Sequence, residues 1–211
     1  MDKILNITNG DVFNRYLLSK IGGEAVPFRE VMMDGEAVLE VYSDAFIETR
    51  AKEHCVSVEE YTSKMLPNYI FEYSKLNLWF GKDTFCQANL LTLLAYLEQI
   101  QYGGEIALNY IDDETFEVLE ADIKVELSGY ENLYNEILIK KNDLKDIGVL
   151  DLNAIELYFD YHSSEGALAK IVRENSERED VEIIRILLEK SKKYGLSDIQ
   201  AAKLIKNISE E

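Results

Sequence analysis

The sequence predicts an α/β fold: a mainly parallel sheet flanked by helices, with a helical C-terminal region. Three observations carry that prediction. Short apolar runs alternate with helical periodicity over residues 1–111. Two successive units share one order, strand, polar cap, helix, Gly-Gly and strand, with the paired glycines at Gly22-Gly23 and Gly103-Gly104. Beyond about residue 125, helical patterns dominate. The expected division is an α/β domain over 1–125 and a mostly helical region over 126–211.

The elements follow in order. Ile4 to Ile7 is an apolar strand run, closed by the turn and cap residues Asn9, Gly10 and Asp11. Val12, Phe13, Tyr16, Leu17, Leu18 and Ile21 recur at helical spacing, and Gly22-Gly23 ends that helix. Ala25 to Phe28 is a second strand, placed near an edge or strand end by Pro27. Residues 29–42 read as a loop. A helix begins at Ser43, and Ser57 with Glu60 marks another by its capping-box spacing. Pro67 is expected to break or kink that helix before Tyr73.

Leu76 to Gly81 is the next strand, with Asp83 or Thr84 as the helix cap that follows. Leu90, Leu91, Leu93, Leu94 and Leu97 make the next helix apolar around most of its circumference, which predicts a buried helix. Glu105 to Ile111 is the strand after it. Residues 112–127 are charged and read as one or two short strands or a helix. Helices are expected near 131–141, 151–161, 163–174, 180–193 and 197–208, with Ser197 and Gln200 forming a capping box.

Composition narrows the function. The chain has 211 residues, 47% of them hydrophobic, enough for a core without disulfides. Its formal charge of -18 argues against a broad nucleic-acid face, because phosphate contacts need clustered Lys and Arg. The most basic stretch, near Lys190 to Lys206, has a helix-turn-helix outline but few side chains suited to reading bases. The charge argues equally against an anionic membrane surface. No apolar run is long enough to span a bilayer, and the N-terminus lacks a signal-peptide pattern. Cys55 and Cys86 have no metal-binding spacing, and reduced thiols in a cytoplasm are the expectation.

No catalytic signature is present. The Gly-Lys-Ser/Thr phosphate loop, the dinucleotide glycine fingerprint, G-x-S-x-G and H-E-x-x-H are all missing. Position supplies the candidates instead. Parallel sheets bind ligands beyond the carboxyl ends of their strands, where helix N-termini present free N–H groups. Asn9, Gly10 and Asp11 occupy that place after the first strand, and Gly81 to Thr84 occupy it after Leu76 to Gly81. Asp11 and Asp83 also read simply as helix caps. Arg29, Glu30 and Arg50 are expected at the same rim, the arginines gripping an anion or pairing with neighbouring acids. Asp11 or Asp83 would hold a divalent cation or take a proton. Trp79 reads as core or as a pocket wall.

These segments resemble the bacterial family known as domain of unknown function 1835. The likeness rests on Asn9-Gly10-Asp11, on Arg29-Glu30 leading to Gly35, on Arg50, and on Leu78-Trp79-Phe80 with Asp83 and Gln87. Glu36 replaces a usual proline, and Cys86 stands where an acid is common. Residues 181–205 resemble the helical domain often attached to that family. The resemblance implies clustered polar positions at one sheet edge and no particular activity. The expected function is therefore binding of a small anionic ligand, phosphorylated or nucleotide-like, at that edge, with transfer or hydrolysis as the chemistry. The candidate ligand-binding residues are Asn9, Asp11, Arg29, Glu30, Arg50, Trp79, Asp83 and Gln87. The alternative is a non-catalytic regulatory or interaction module whose helical tail is the contact surface.

Overall fold

The computed structural model describes residues 3–20, 22–65 and 68–210. Strand β1 (Ile4–Asn9) leads through helix α1 (Asp11–Lys20) to β2 (Glu24–Phe28). An irregular segment then precedes α2 (Asp44–Glu53), α3 (Val58–Thr62) and a 3-10 turn (Asn68–Glu72). Strand β3 (Lys75–Phe80), helix α4 (Thr84–Gln99) and β4 (Glu105–Ile111) complete the second strand–helix–strand unit. Strand β5 (Val118–Lys124) follows, then α5 (Tyr130–Tyr134), which continues into a π-helical turn (Asn135–Ile139). The rest is helical: α6 (Leu152–Tyr161), α7 (Ala167–Glu174), α8 (Asp180–Lys190), a 3-10 turn (Lys192–Tyr194) and α9 (Asp198–Ser209).

The five strands form one sheet in the order β2-β1-β3-β4-β5. The first three pairings are parallel and β4–β5 is antiparallel. The mainly parallel sheet is thus as the alternating pattern predicts. The charged stretch after residue 111 returns along β4 as β5, a strand exposed along nearly its whole length. Its acids and Lys124 suit an unpaired edge, where charge discourages pairing with another chain.

Strand alternation decides what each sheet face holds. Leu76, Leu78 and Phe80 are fully buried and belong to the main core, together with the leucines of α4. That core is continuous from Leu5 in β1 through α4 to Tyr158, Leu187 and Ile205 in the C-terminal helices. Helix α4 is therefore buried between the sheet and the helical region, which is why its leucines cover so much of its circumference. The opposite face carries a smaller cluster of Phe13, Leu17 and Ile111, with Trp79 and Phe116 packed on it.

Caps place the helix starts. Asp83 accepts from Cys86 N at 2.8 Å and caps α4. Ser57 caps α3 through Glu60 N, and Ser197 with Gln200 forms a complete capping box at α9. Asp11 lies in the first turn of α1, after Gly10 with φ +82°. The helix expected from residue 163 begins only at Ala167, because 163–166 form a turn closed by Gly166 N to Ser163 O at 2.9 Å. The helix expected to reach 193 ends at Lys190 and tightens into a 3-10 turn. The break expected at Pro67 lies outside the described residues.

Candidate functional site

The strand order reverses at β1. From it the chain steps to β2 on one side, with α1 on one face, and β3 lies on the other side, with α4 on the opposite face. Such a reversal opens a crevice beyond the carboxyl ends of the strands. Four loops meet along that rim: Asn9-Gly10-Asp11 after β1, Arg29 after β2, Gly81 to Asp83 after β3, and Asp112-Asp113 after β4.

The centre of the rim holds a carboxyl pair beside a thiol. One oxygen each from Asp83 and Asp113, and Sγ of Cys86, lie within 4.8 Å of one another. The Cys86 thiol donates to both Asp113 oxygens at 3.6 and 3.7 Å, and Asn9 Nδ2 donates to Sγ at 2.8 Å. Asn89 in turn donates to Asn9 Oδ1 at 2.9 Å and to the Glu30 carbonyl at 2.6 Å. Donation therefore runs from Asn89 through Asn9 and Cys86 to Asp113, and Asn89 also ties this chain to the loop after β2 by donating to the Glu30 carbonyl.

Electrostatics sets the protonation of this pair. Burial of the Asp113 carboxyl, then the hydrogen bond and negative charge of Asp83, push Asp113 up to about 8. Two crowded carboxyls resist ionising together, so the pair retains a proton to higher pH than an ordinary Asp. Asp113 as a residue is exposed, so solvent reaches it and screens the pair. Cys86 is fully buried, and burial followed by the two acids pushes its thiol well up. It is a poor nucleophile and serves as a hydrogen-bond donor. Together the two carboxylates and Cys86 form the set that could hold a divalent cation, which would take the place of the shared proton.

Two glycines make room for the pair. A Cβ on Gly81 would stand 1.7 Å from Asp113 Oδ2, and one on Gly195 would stand 2.4 Å from Asp83 Oδ1. Gly81→Ala is expected to swing Asp113 outward and return its titration toward an ordinary carboxyl, at a cost of about 1–3 kcal/mol from overpacking. Carboxyl titration by NMR in the Gly81→Ala protein checks this.

The pair opens on a cleft of about 830 Å³. Lys82, Asp112, Glu114 and Asp151 line it, and Lys192 and Lys193 face it from the turn after α8. Lys82 is bonded to Glu120 and lies 4.7 Å over the Tyr110 ring, while Lys192 pairs with Glu114 at 2.8 Å. The cleft therefore lies between the sheet rim and the C-terminal helices.

The remaining candidates sort by position. Arg29 grips Asp11 through both oxygens, at 2.9 to 3.2 Å, and holds that carboxyl below its usual range. This pair is exposed at the β1–β2 end of the rim. Glu30 and Arg50 do not reach solvent. Arg50 is 1% exposed and donates to Glu30 at 3.2 Å and to the carbonyls of Val31, Asp34 and Glu36 at 3.0 to 3.1 Å. Tyr61 donates to the other Glu30 oxygen, and His54 lies 3.4 Å away. The expectation that Arg50 grips an anion is corrected: its guanidinium is used up in folding the loop after β2.

Gln87 is likewise internal, donating to Gly81 O at 2.6 Å and accepting from Asp151 N at 2.9 Å. It ties the loop after β3 to the start of α6. Trp79 lies within β3 on the α1 face, its indole donating to Asn6 Oδ1 at 2.9 Å and its ring 5.9 Å from Phe13. It is partly buried, packed on the smaller cluster of Phe13, Leu17 and Ile111, on the sheet face opposite the main core. The structure thus brings Asn9 and Asp83 together, sets Asp11 with Arg29, and withdraws Glu30, Arg50, Trp79 and Gln87. Asp113 and Cys86 are the members that residue spacing did not single out, although Asp113 follows a strand end just as Asp83 does. No family model, curated protein or solved structure matches the chain.

Proposed function

We propose that the cleft at the carboxyl ends of β3 and β4 binds a small anionic ligand, phosphorylated or nucleotide-like, with Asp113 as proton donor and Asp83 as its partner base. The observation that carries the reading is the proton-sharing Asp83–Asp113 pair, held at a strand-end rim where ligands are bound in such sheets. Lys193 faces the cleft, and Lys82 and Lys192 lie at its mouth paired with Glu120 and Glu114, from which an anionic ligand would have to draw them. A carboxyl that stays protonated at neutral pH suits protonation of a leaving group, so hydrolysis or group transfer is the fitting chemistry. Asp83, Asp113 and Cys86 could instead hold a divalent cation, which would replace the shared proton and supply positive charge toward an anionic ligand in place of proton donation by Asp113. The resemblance to the domain of unknown function 1835 belongs to this proposal, through Asn9 and Asp83 alone.

The test is thermal denaturation with ADP, glucose 6-phosphate and inorganic phosphate, each with and without magnesium or manganese. Saturation at about 100 times the dissociation constant adds nearly 3 kcal/mol. For a chain of this size that raises the melting temperature by about 5–10 °C. Asp83→Asn keeps a competent helix cap but loses the charge, and it should abolish the rise. If none of these probes shifts the transition, the reading fails. A second reading, a non-catalytic interaction module, rests on a groove of about 1010 Å³ lined by Leu39, Tyr42, Ile47, Met65, Tyr96 and Ile100.

A further inference from the structure

We infer that the groove between α2, the end of α4 and α5 is the docking site for a basic amphipathic helix of a partner protein. The inference rests on the second reading given above and is independent of the cleft at the sheet rim. Leu39, Tyr42, Ile47, Met65, Tyr96 and Ile100 line the groove, whose volume is about 1010 Å³. Leu39 is 50% exposed, and the other five are only partly buried. Six apolar or aromatic side chains thus share one concave surface at the margin of the core, the kind of patch that marks a contact site. Tyrosine and methionine suit such a place, because each offers a large contact area that adapts to a partner.

The groove is held in shape. Gln99 Oε1 accepts from Val41 N at 3.0 Å, and Gln99 Nε2 donates to Leu39 O at 2.7 Å, so the loop 39–41 is tied to α4 at two points. The next residue, Tyr42, has φ +64°, a left-handed conformation that is costly for an aromatic residue. Its ring stands edge-on to Tyr96 at 4.8 Å and to Phe46 at 5.5 Å. An entering helix finds this wall already formed, so binding costs little further ordering.

Charge and shape name the occupant. No lysine or arginine lines the groove among the described residues, whereas Glu40 and Glu131 do, and Asp44 lies three residues before Ile47 on α2. All three acids are exposed, and none joins an ion pair among the described residues. Uncompensated acids around an apolar floor are complementary to cations set beside apolar side chains. A helix with an apolar stripe at i, i+3, i+4 and i+7 and Lys or Arg flanking it has that arrangement. The lining residues belong to helices and loops, so an extended peptide would find no strand edge to join. A second copy of the chain, with its formal charge of -18, would be repelled.

The test measures, by fluorescence anisotropy, the binding of three labelled peptides of about 15 residues, roughly four helical turns, to the full-length protein in about 0.15 M salt. All three carry the same stripe of leucines, and their remaining positions are Lys, Glu or Gln. The Lys peptide is expected to bind about tenfold more tightly than the other two, or better. Glu40→Lys with Glu131→Lys should weaken it about tenfold, and so should Leu39→Lys, a change at an exposed side chain that the fold tolerates. Glu117→Lys with Glu156→Lys removes the same charge at exposed positions that do not line the groove, and should leave binding within about twofold. Equal weakening by this control pair would mean diffuse attraction to an acidic chain and overturns the inference, as does a Lys peptide indifferent to Leu39→Lys. Equal or tighter binding of the Glu or Gln peptide in the groove overturns the basic partner while the interaction-module reading stands. Failure of all three peptides to bind removes both. Sedimentation equilibrium covers the remaining occupant: a dimer that Leu39→Lys dissolves would place a second copy in the groove and overturn the inference.

Discussion

Arg50→Leu is expected to destabilise the fold by about 3–5 kcal/mol, the largest loss of any single substitution considered, because it strands a buried carboxylate. For a chain of this length that lowers the melting temperature by about 10 °C or more. Glu30 would keep Tyr61 and His54 but lose its only guanidinium partner among the described residues. Three loop carbonyls, of Val31, Asp34 and Glu36, would lose their donor as well. That second loss separates two accounts of the residue. If the ion pair were the whole contribution, Glu30→Met with Arg50→Met should restore most of the stability, since an apolar replacement of a buried pair is often neutral. We expect only partial recovery, because the carbonyls remain unpaired in a dry interior. Arg50→Lys should also fall short, as one ammonium cannot reach all four acceptors with the geometry of the guanidinium fork. Denaturant unfolding of the four proteins measures these differences. A variant of Arg50 that keeps its stability yet loses ligand would return the residue to the binding site.

Arg50 also shows what was legible in the sequence. Apolar periodicity and paired glycines carry strands, helices and their order, because burial of one face is a local demand that each segment writes into its own residues. They cannot say which way a charged side chain turns. Arg50 and Arg29 look equivalent as candidates, but one is 1% exposed and the other lies at the surface. The difference arises because residues 30–36 fold over α2, a tertiary event with no periodic trace. Trp79 follows the same logic: the alternation Leu76, Leu78, Phe80 already assigns it to the other sheet face, and only the packing of Phe13 shows that this face is covered at that point. Asp113 was within reach of the positional rule, since it follows β4 as Asp83 precedes α4. It was hidden because the charged run 112–127 offers many acids, and nothing local marks the one that folds back onto Gly81.

Asp113→Asn is expected to stabilise the protein, and to do so increasingly as pH rises. The folded protein holds Asp113 protonated up to about 8, whereas the unfolded chain releases that proton near the ordinary Asp value of about 3.9. Below the lower value both states carry the proton and the residue is neutral toward folding. Between the two, the folded state binds more protons than the unfolded one, so stability declines with rising pH, and the decline ends above about 8. Asparagine has no proton to lose and removes that slope. The expected gain at pH 8 is about 1–2 kcal/mol, well below the full shift because solvent reaches Asp113 and screens the pair, or about 3–6 °C in melting temperature. At pH 4 wild type and variant should melt together. A divalent cation reverses the order: it displaces the shared proton, stabilises wild type, and binds more tightly as pH rises. Asparagine would then lose to aspartate in manganese and win without it. Calorimetric scans of both proteins from pH 4 to 9, with and without manganese, decide the matter. A gain independent of pH would mean that Asp113 is an ordinary surface acid. A crossover in the presence of metal would mean that the pair carries charge for a ligand at the expense of the fold, the compromise expected of carboxyls crowded together for function.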